Sequence, residues 1–382
     1  MMRRYIKWLA LIVGFAGFAG LIVFLLVKLT PSPPESEVEL AMKAFSRANK
    51  DKADTYSTKL FNESRAAYDS AMANWKRENK KFLFFRNYEK VETFARLASK
   101  RAGQATTTSQ INSSSLKISV KEKIDSVNKT VSGIDHIFGR YPLPSDSRKK
   151  VAKGNMLLKE AEVAYSKGQY VQANSKINEA EYLLTTVFNT ELSDLKDYFK
   201  SLPVWKKWAQ QAISESARNK SYAIVVDKFS KKCYIYLKGV KKFEFDAELG
   251  INWVGNKRRM GDKATPEGIY KVVNKFQGKQ TEYYKSLSLD YPNARDMERF
   301  KSELSRGSLP AWAKIGGGIE IHGGGGKGVD WTEGCIALTN SEIDVLYDLA
   351  KVGTPVVIVG SVKDLSKVLE NELLVNGNRG DN

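Results

Sequence analysis

Residues 316–338, reading GGGIEIHGGGGKGVDWTEGCIAL, constrain the chain more than any other stretch. They hold one of only two histidines, His322, and one of only two cysteines, Cys335, 13 residues apart. Ile319-Glu320-Ile321 alternates like a strand and delivers His322 at its end, ahead of four glycines at 323–326. Cys335 follows Gly334 in a loop. Just beyond, Thr339-Asn340-Ser341-Glu342 has the form of a capping box, in which Thr hydroxyl and Glu carboxylate satisfy backbone N–H groups at a helix start. A histidine ending a strand and a cysteine on a bare glycine turn can meet beside open backbone N–H groups. A thiol nucleophile and its base require that arrangement.

The chemistry fits these residue types. A free thiol is mostly protonated at neutral pH, and a neighbouring imidazole can take its proton. Gly334 lets the backbone approach a reacting carbonyl closely. The N–H groups around Gly334 and Cys335 are candidates for an oxyanion hole, where one donor is typically worth about 3–4 kcal/mol. Taken singly, a cysteine is commonly a small buried hydrophobe and a histidine a hydrogen-bonded structural residue. Their joint placement among so many glycines points to function.

These residues resemble the signature of the L,D-transpeptidase catalytic domain, also called the YkuD domain. Here it reads Ile321-His322-Gly323, then Thr332-Glu333-Gly334-Cys335-Ile336-Ala337-Leu338. Upstream, the resemblance takes in AIVVDK at 223–228 with CYIY at 233–236, GDKATPEG at 261–268, LSLDYPN at 287–293 and GTPV at 353–356. It implies acyl transfer on peptidoglycan stem peptides in cell-wall biogenesis, with Cys335 as nucleophile and His322 as base and later acid. The Gly323 carbonyl would orient the imidazole, and Thr332, Gly334 and Cys335 would shape the oxyanion pocket. No metal or organic cofactor is implied. Most members carry His where this chain has Glu333, and many carry Arg where it has Ala337. Those departures keep open a hydrolase that uses the same thiol with water as acceptor. Arg258 and Arg259, which follow Lys257, are candidate contacts for a substrate carboxylate, although the basic run reads equally well as a solvated cluster, and Glu333 is a further candidate substrate contact.

A chain of 382 residues has room for two or three domains, and its 42% hydrophobic and 27% charged content is ordinary for a folded protein. The formal charge of +18 suits nucleic acid, anionic lipid or anionic wall polymers. No helix-turn-helix, zinc-finger or RNA-recognition pattern is present, so nucleic acid is set aside as a partner. Residues 8–27 form an uncharged run of membrane-spanning length, preceded by Arg3, Arg4 and Lys7. The run exceeds the apolar core of a cleaved signal and is read as a single-pass anchor in a bacterial inner membrane. Residues 1–7 are then cytoplasmic and the catalytic region periplasmic. Residues 28–36 form a proline-rich linker.

Residues 37–220 read as helices. Leu60, Ala67, Ala71 and Trp75 share one helical face, as do Leu116, Val120, Ile124, Val127 and Val131. Tyr141-Pro142-Leu143-Pro144 interrupts the region, and a weak echo links residues 85–91 to 166–171, each reading as a hairpin turn. Trp75, Trp205 and Trp208 read as packing residues, and His136 receives no role. This region is expected to be a spacer between membrane and enzyme, with an envelope protein as a further partner. A non-enzymatic scaffold built on it is the third functional alternative. Strand chemistry is expected over 260–275, and Cys233 should point inward from a strand, unpaired with Cys335. The expected fold class is α+β and multidomain: a transmembrane helix, an all-α bundle or hairpins, and a mostly-β catalytic domain over 221–361. A tail follows at 362–382, with a short helix over 362–374 and a disordered end.

Overall fold

The protein is described by a computed structural model over residues 2–139 and 141–369. Eight helices come first: α1 (Met2–Leu29), α2 (Glu35–Lys50), α3 (Ala53–Tyr56), α4 (Thr58–Asn79), α5 (Glu89–Phe138), α6 (Ser145–Ser166), α7 (Tyr170–Tyr198) and α8 (Leu202–Asn219). The strands follow as β1 (Tyr222–Asp227), β2 (Lys232–Leu237), β3 (Val240–Asp246), β4 (Gly268–Gln277) and β5 (Lys285–Leu289). After these come α9 (Ala294–Ser305), β6 (Glu320–His322), β7 (Ile336–Ala337), α10 (Asn340–Leu349) and β8 (Pro355–Val359). The order is α+β, helices first and the sheet after. Two compact units divide the chain, one running to Ile124 and including Glu160–Ile177, the other taking Asp125–Lys159 and the chain from Asn178 onward.

In the first unit, α1 contains 21 residues, Trp8–Lys28, apolar enough to cross a membrane and with none of that span buried. The helices that follow pack through small residues. Val38 and Ala41 of α2 meet Ala67 and Ala71 of α4 and Val91, Ala95 and Ala98 of α5, with Tyr88 buried and Trp75 partly so. A second cluster joins Ala48, Ala53, Phe61, Ala102 and Ala105, with Leu60 against it. Alanines allow close helix approach, and Ser64 Oγ uses that proximity to donate across to the Ala98 carbonyl at 3.0 Å.

The second unit is built on one sheet in the order β3-β2-β1-β8-β4-β5-β6-β7. Pairs β1/β8 and β6/β7 are parallel, and the remaining pairs are antiparallel. Bridges Glu248↔Ala337 and Gly250↔Thr332 join the segment after β3 to the β7 edge and curl the sheet on itself. Its interior holds Ile224, Ile235, Leu249, Leu287, Ile321, Ile336 and Leu338, each fully buried. Cys233 lies on β2 opposite Val226, and burial pushes its thiol up to about 12. The prolines at 142 and 144 separate α5 from α6. Tyr141 at this break packs on Phe229 and Trp253, in an aromatic cluster with Tyr198, Phe199 and Trp205.

One expectation needs revision. Strand structure begins at Gly268, and residues 260–267 form a loop. The reason is Asp262, whose carboxylate collects the N–H groups of Arg258, Arg259 and Ala264 and the Lys257 ammonium, binding the segment as a polar turn. Downstream, residues 365–369 are helical within the stretch where a short helix is expected, and the remainder of that stretch from 370 and the expected disordered end lie outside the described residues.

Behind the sheet, Lys228 is fully buried. Its ammonium donates to the Gly255 carbonyl at 2.6 Å, the Thr265 carbonyl at 2.9 Å and Glu267 Oε1 at 2.7 Å, and Tyr198 also donates to Glu267. An ion pair with all its donors placed is tolerated inside a protein, while one deprived of its partner is not. Lys228→Met should therefore cost about 3–5 kcal/mol, lowering the melting temperature by about 10 °C or more. Lys228→Met combined with Glu267→Leu should recover much of that loss. Thermal unfolding of the three proteins checks this, and equal melting temperatures for wild type and Lys228→Met would contradict it.

Candidate active site

Register brings the histidine and cysteine together. Strands β6 and β7 pair in parallel with Ile321 beside Ile336 and His322 beside Ala337. Extending that register by one residue sets Cys335 beside Glu320. Since alternate strand residues share a face, Glu320, His322 and Cys335 lie on one side of the pair. The pairing is continued past its C-terminal end: Leu338 N–H donates to the His322 carbonyl at 2.8 Å, and Gly325 N–H to the Leu338 carbonyl at 2.8 Å. The Thr339 capping box starts α10 directly afterwards, with Thr339 and Glu342 each accepting from the other's backbone N–H.

The His322 ring is buried. Tyr283 stacks on it with ring centres 3.6 Å apart and 11° between planes, and Trp331 meets it edge-on at 5.8 Å. Nδ1 lies 2.7 Å from the Gly323 carbonyl. A carbonyl only accepts, so Nδ1 carries the proton and Nε2 keeps its lone pair. Nε2 is buried and has no hydrogen-bond partner in the described structure. Burial holds the imidazole below its usual range, helped by the Lys327 charge and opposed by the Gly323 carbonyl.

Cys335 is partly buried and reduced. Its thiol points at the Gly318 carbonyl, 3.5 Å away. Burial pushes the thiol up to about 11; the Glu320 carboxylate adds to the rise, while the Glu320 N–H and the Lys257 ammonium oppose it. At neutral pH the resting site thus holds a neutral thiol and a neutral imidazole.

Thr332 fixes the turn that presents the sulfur. Its hydroxyl donates to the Cys335 carbonyl at 2.8 Å and accepts from the Gly334 N–H at 3.2 Å. The Gly334 N–H is thereby engaged within the loop. What position 334 requires is conformation: φ is +132°, and an added Cβ would lie 2.7 Å from the Ala264 carbonyl oxygen.

The other expected contacts are engaged elsewhere. Arg258 pairs with Glu303 at 2.7 Å and donates to the Ser308 carbonyl at 3.0 Å. Arg259 lies 5.4 Å from the ring centre of the exposed Trp312. Glu333 faces solvent in a 3.2 Å pair with Lys263. Conversely, the geometry adds Tyr283, Glu320 and Glu248. Glu248 accepts from Gly328 N–H at 2.6 Å and from the Trp331 indole at 2.7 Å, which ties the glycine-rich loop to the sheet edge. Among the described residues no group of three or more His, Cys, Asp or Glu side chains is arranged to hold a metal ion.

Residues 221–358 match the model of the YkuD L,D-transpeptidase catalytic domain. No curated protein sequence matches the chain. Similar solved structures include a point mutant of the helical cell shape determining protein Pgp2 from Campylobacter jejuni, at 26% identity and a TM-score of 0.29, over 41% of this chain and 52% of that one. Another is the Ldtfm–avibactam carbamoyl enzyme, at 19% identity and a TM-score of 0.26, over 37% and 49%. A third is an L,D-transpeptidase from Mycobacterium tuberculosis H37Rv, at 15% and 0.25, over 36% and 57%. The chain thus spans about half the length of these structures. With the family model matched across the sheet that carries His322 and Cys335, residues 221–358 form a YkuD-type L,D-transpeptidase catalytic domain.

Proposed function

We propose that this domain is a cysteine-dependent L,D-transpeptidase acting on peptidoglycan stem peptides. The observation that carries the reading is the pair of ring nitrogens on His322: Nδ1 fixed on the Gly323 carbonyl, and Nε2 buried without a partner on the face shared with Cys335. Swinging from the Gly318 carbonyl towards Nε2, the thiol gives up its proton as sulfur attacks the carbonyl preceding a D-residue. The tetrahedral intermediate collapses to a thioester on Cys335, and the departing amine takes the proton back from His322. An acceptor amine then attacks the thioester, loses a proton to Nε2 and leaves with the acyl group, restoring the thiol. Thr332 and Gly334 position the sulfur, and Tyr283 holds the imidazole plane. The helix α1 would anchor the chain in the inner membrane with this domain in the periplasm.

A hydrolase is the second reading, supported by Glu333, which is turned to solvent, and by Ala337, which is buried and puts no cation near the site. Water then replaces the amine in the last step. Incubation with defined muropeptides separates the two by mass: cross-linked products for transfer, shortened or released peptides for hydrolysis. Cys335→Ala should abolish both, and retained turnover would contradict the thioester route.

The pH profile has a definite sign. Because burial lowers the His322 pKa below 6.5, the base is already neutral at pH 7, and kcat/KM should fall only as the pH drops through a midpoint below 6.5. A midpoint above 7 would contradict a desolvated neutral base. Thr332→Val keeps the side-chain shape but removes both hydrogen bonds of the turn. It should lower kcat about 10- to 100-fold, the loss expected when a reacting group is misplaced, with only a small change in KM. An unchanged kcat would remove Thr332 from the positioning role.

A further inference from the structure

The turn between α4 and α5 reads Lys80-Lys81-Phe82-Leu83-Phe84-Phe85-Arg86. It carries four apolar side chains in the open: Phe82 is 68% exposed, Leu83 41%, Phe84 41% and Phe85 74%. The Phe82 ring lies 5.8 Å from that of Phe84 and 6.4 Å from that of Phe85, which makes one aromatic cap. A loose turn would fold such residues away. This one is pinned: Tyr88 donates to Asn79 Oδ1 at 2.6 Å, Asn87 N–H to Glu78 at 3.0 Å, and Arg86 to the carbonyls of Lys81 and Asn79. The framework holds the aromatic residues outward; Lys80 and Arg86 flank them in the chain, Lys76 lies exposed one helical turn back in α4, and Lys81 and Arg77 pair with Glu78.

The direction of the turn identifies what it meets. Helix α2 runs alongside α5 in the same sense, since Glu37 pairs with Arg96 while Asp51, just past the end of α2, accepts from Gln110. The turn is therefore at the end of the bundle where the chain arrives from α1. Helix α5 begins at Glu89, seven residues before Arg96, so the turn lies about 10 Å beyond Arg96 along the helix axis, at the end where the chain enters α2. Only residues 30–34 separate α1 from α2, a link of at most about 18 Å when fully extended. Phenylalanine and leucine side chains buried at the headgroup–acyl boundary, with lysines facing anionic headgroups, fit that position.

We infer that the Phe82–Phe85 turn is a second membrane contact, inserting its aromatic side chains into the headgroup region of an anionic bilayer beside α1. Two attachments, one spanning and one interfacial, would set the helical unit end-on to the membrane instead of leaving it on a swivel. The inference rests on α1 being an uncleaved anchor, and the test separates the two.

The full chain is reconstituted into phosphatidylethanolamine–phosphatidylglycerol vesicles on a Cys335→Ser background, with Cys233 buried. Spin labels are placed singly through Phe85→Cys, Asp69→Cys and Phe15→Cys, and collisions with oxygen are compared with those of a water-soluble nickel chelate. The inference expects oxygen to dominate at position 85, as at position 15, and the chelate to dominate at position 69. Lys76→Glu with Lys80→Glu should move the label at 85 towards water. A water-like label at 85 with a bilayer-like label at 15 overturns the contact and leaves the anchor standing. Water-like labels at both overturn the anchor and the contact with it. A label at 69 as deep as that at 85 overturns the end-on arrangement. An unchanged depth in the double lysine variant overturns the role given to the charges.

Discussion

The parallel pairing of β6 with β7 is the contact on which the catalytic face depends. These strands are three and two residues long, too short to hold a register alone. A slip of one residue would turn His322 and Cys335 to opposite faces. The register is fixed from outside. β5 pairs with β6 on one flank, setting Ser286 beside His322, and the bridge from Glu248 to Ala337 binds β7 on the other. Thr332 then ties the turn to its own cysteine, and Glu248 ties the glycine-rich loop to the same edge. The loop is glycine-rich and yet placed. Its glycines admit the close backbone approaches, and side chains from distant segments supply the restraint.

Burial shapes the chemistry at the same place. Removing water disfavours both a thiolate and an imidazolium, so one environment raises Cys335 and lowers His322. An ion pair formed in advance is thereby disfavoured, and proton transfer is left to coincide with attack. The Tyr283 face and the edge-on Trp331 produce that dryness around the imidazole, and the Tyr283 stack fixes its plane. The buried Lys228–Glu267 pair serves the segment behind: it anchors the Thr265 carbonyl next to Ala264, whose own carbonyl packs against Gly334.

Local features are legible in the sequence wherever residues adjacent in the chain act on one another. The Thr339–Glu342 capping box, the strand ending at His322 and the inward Cys233 are of this kind, and so is the helical face through Ala67 and Ala71. Features made by distant segments are not. Nothing in the residues around Tyr283 announces a ring stacked on His322, 39 positions downstream. The 260–267 loop reads as strand because the pattern there offers no sign that one Asp262 carboxylate gathers three N–H groups. The engagement of the Gly334 N–H does have a local signal. A threonine two residues ahead of a glycine can close a turn with its hydroxyl, and Thr332 does so.

The most direct measurement is the protonation pattern of the His322 ring in the resting protein. With only two histidines in the chain, a His136→Gln variant leaves one imidazole to observe by nitrogen-15 NMR. The account predicts a neutral ring at pH 7, protonated at Nδ1 and bare at Nε2. A ring protonated at both nitrogens, or at Nε2 alone, would contradict it.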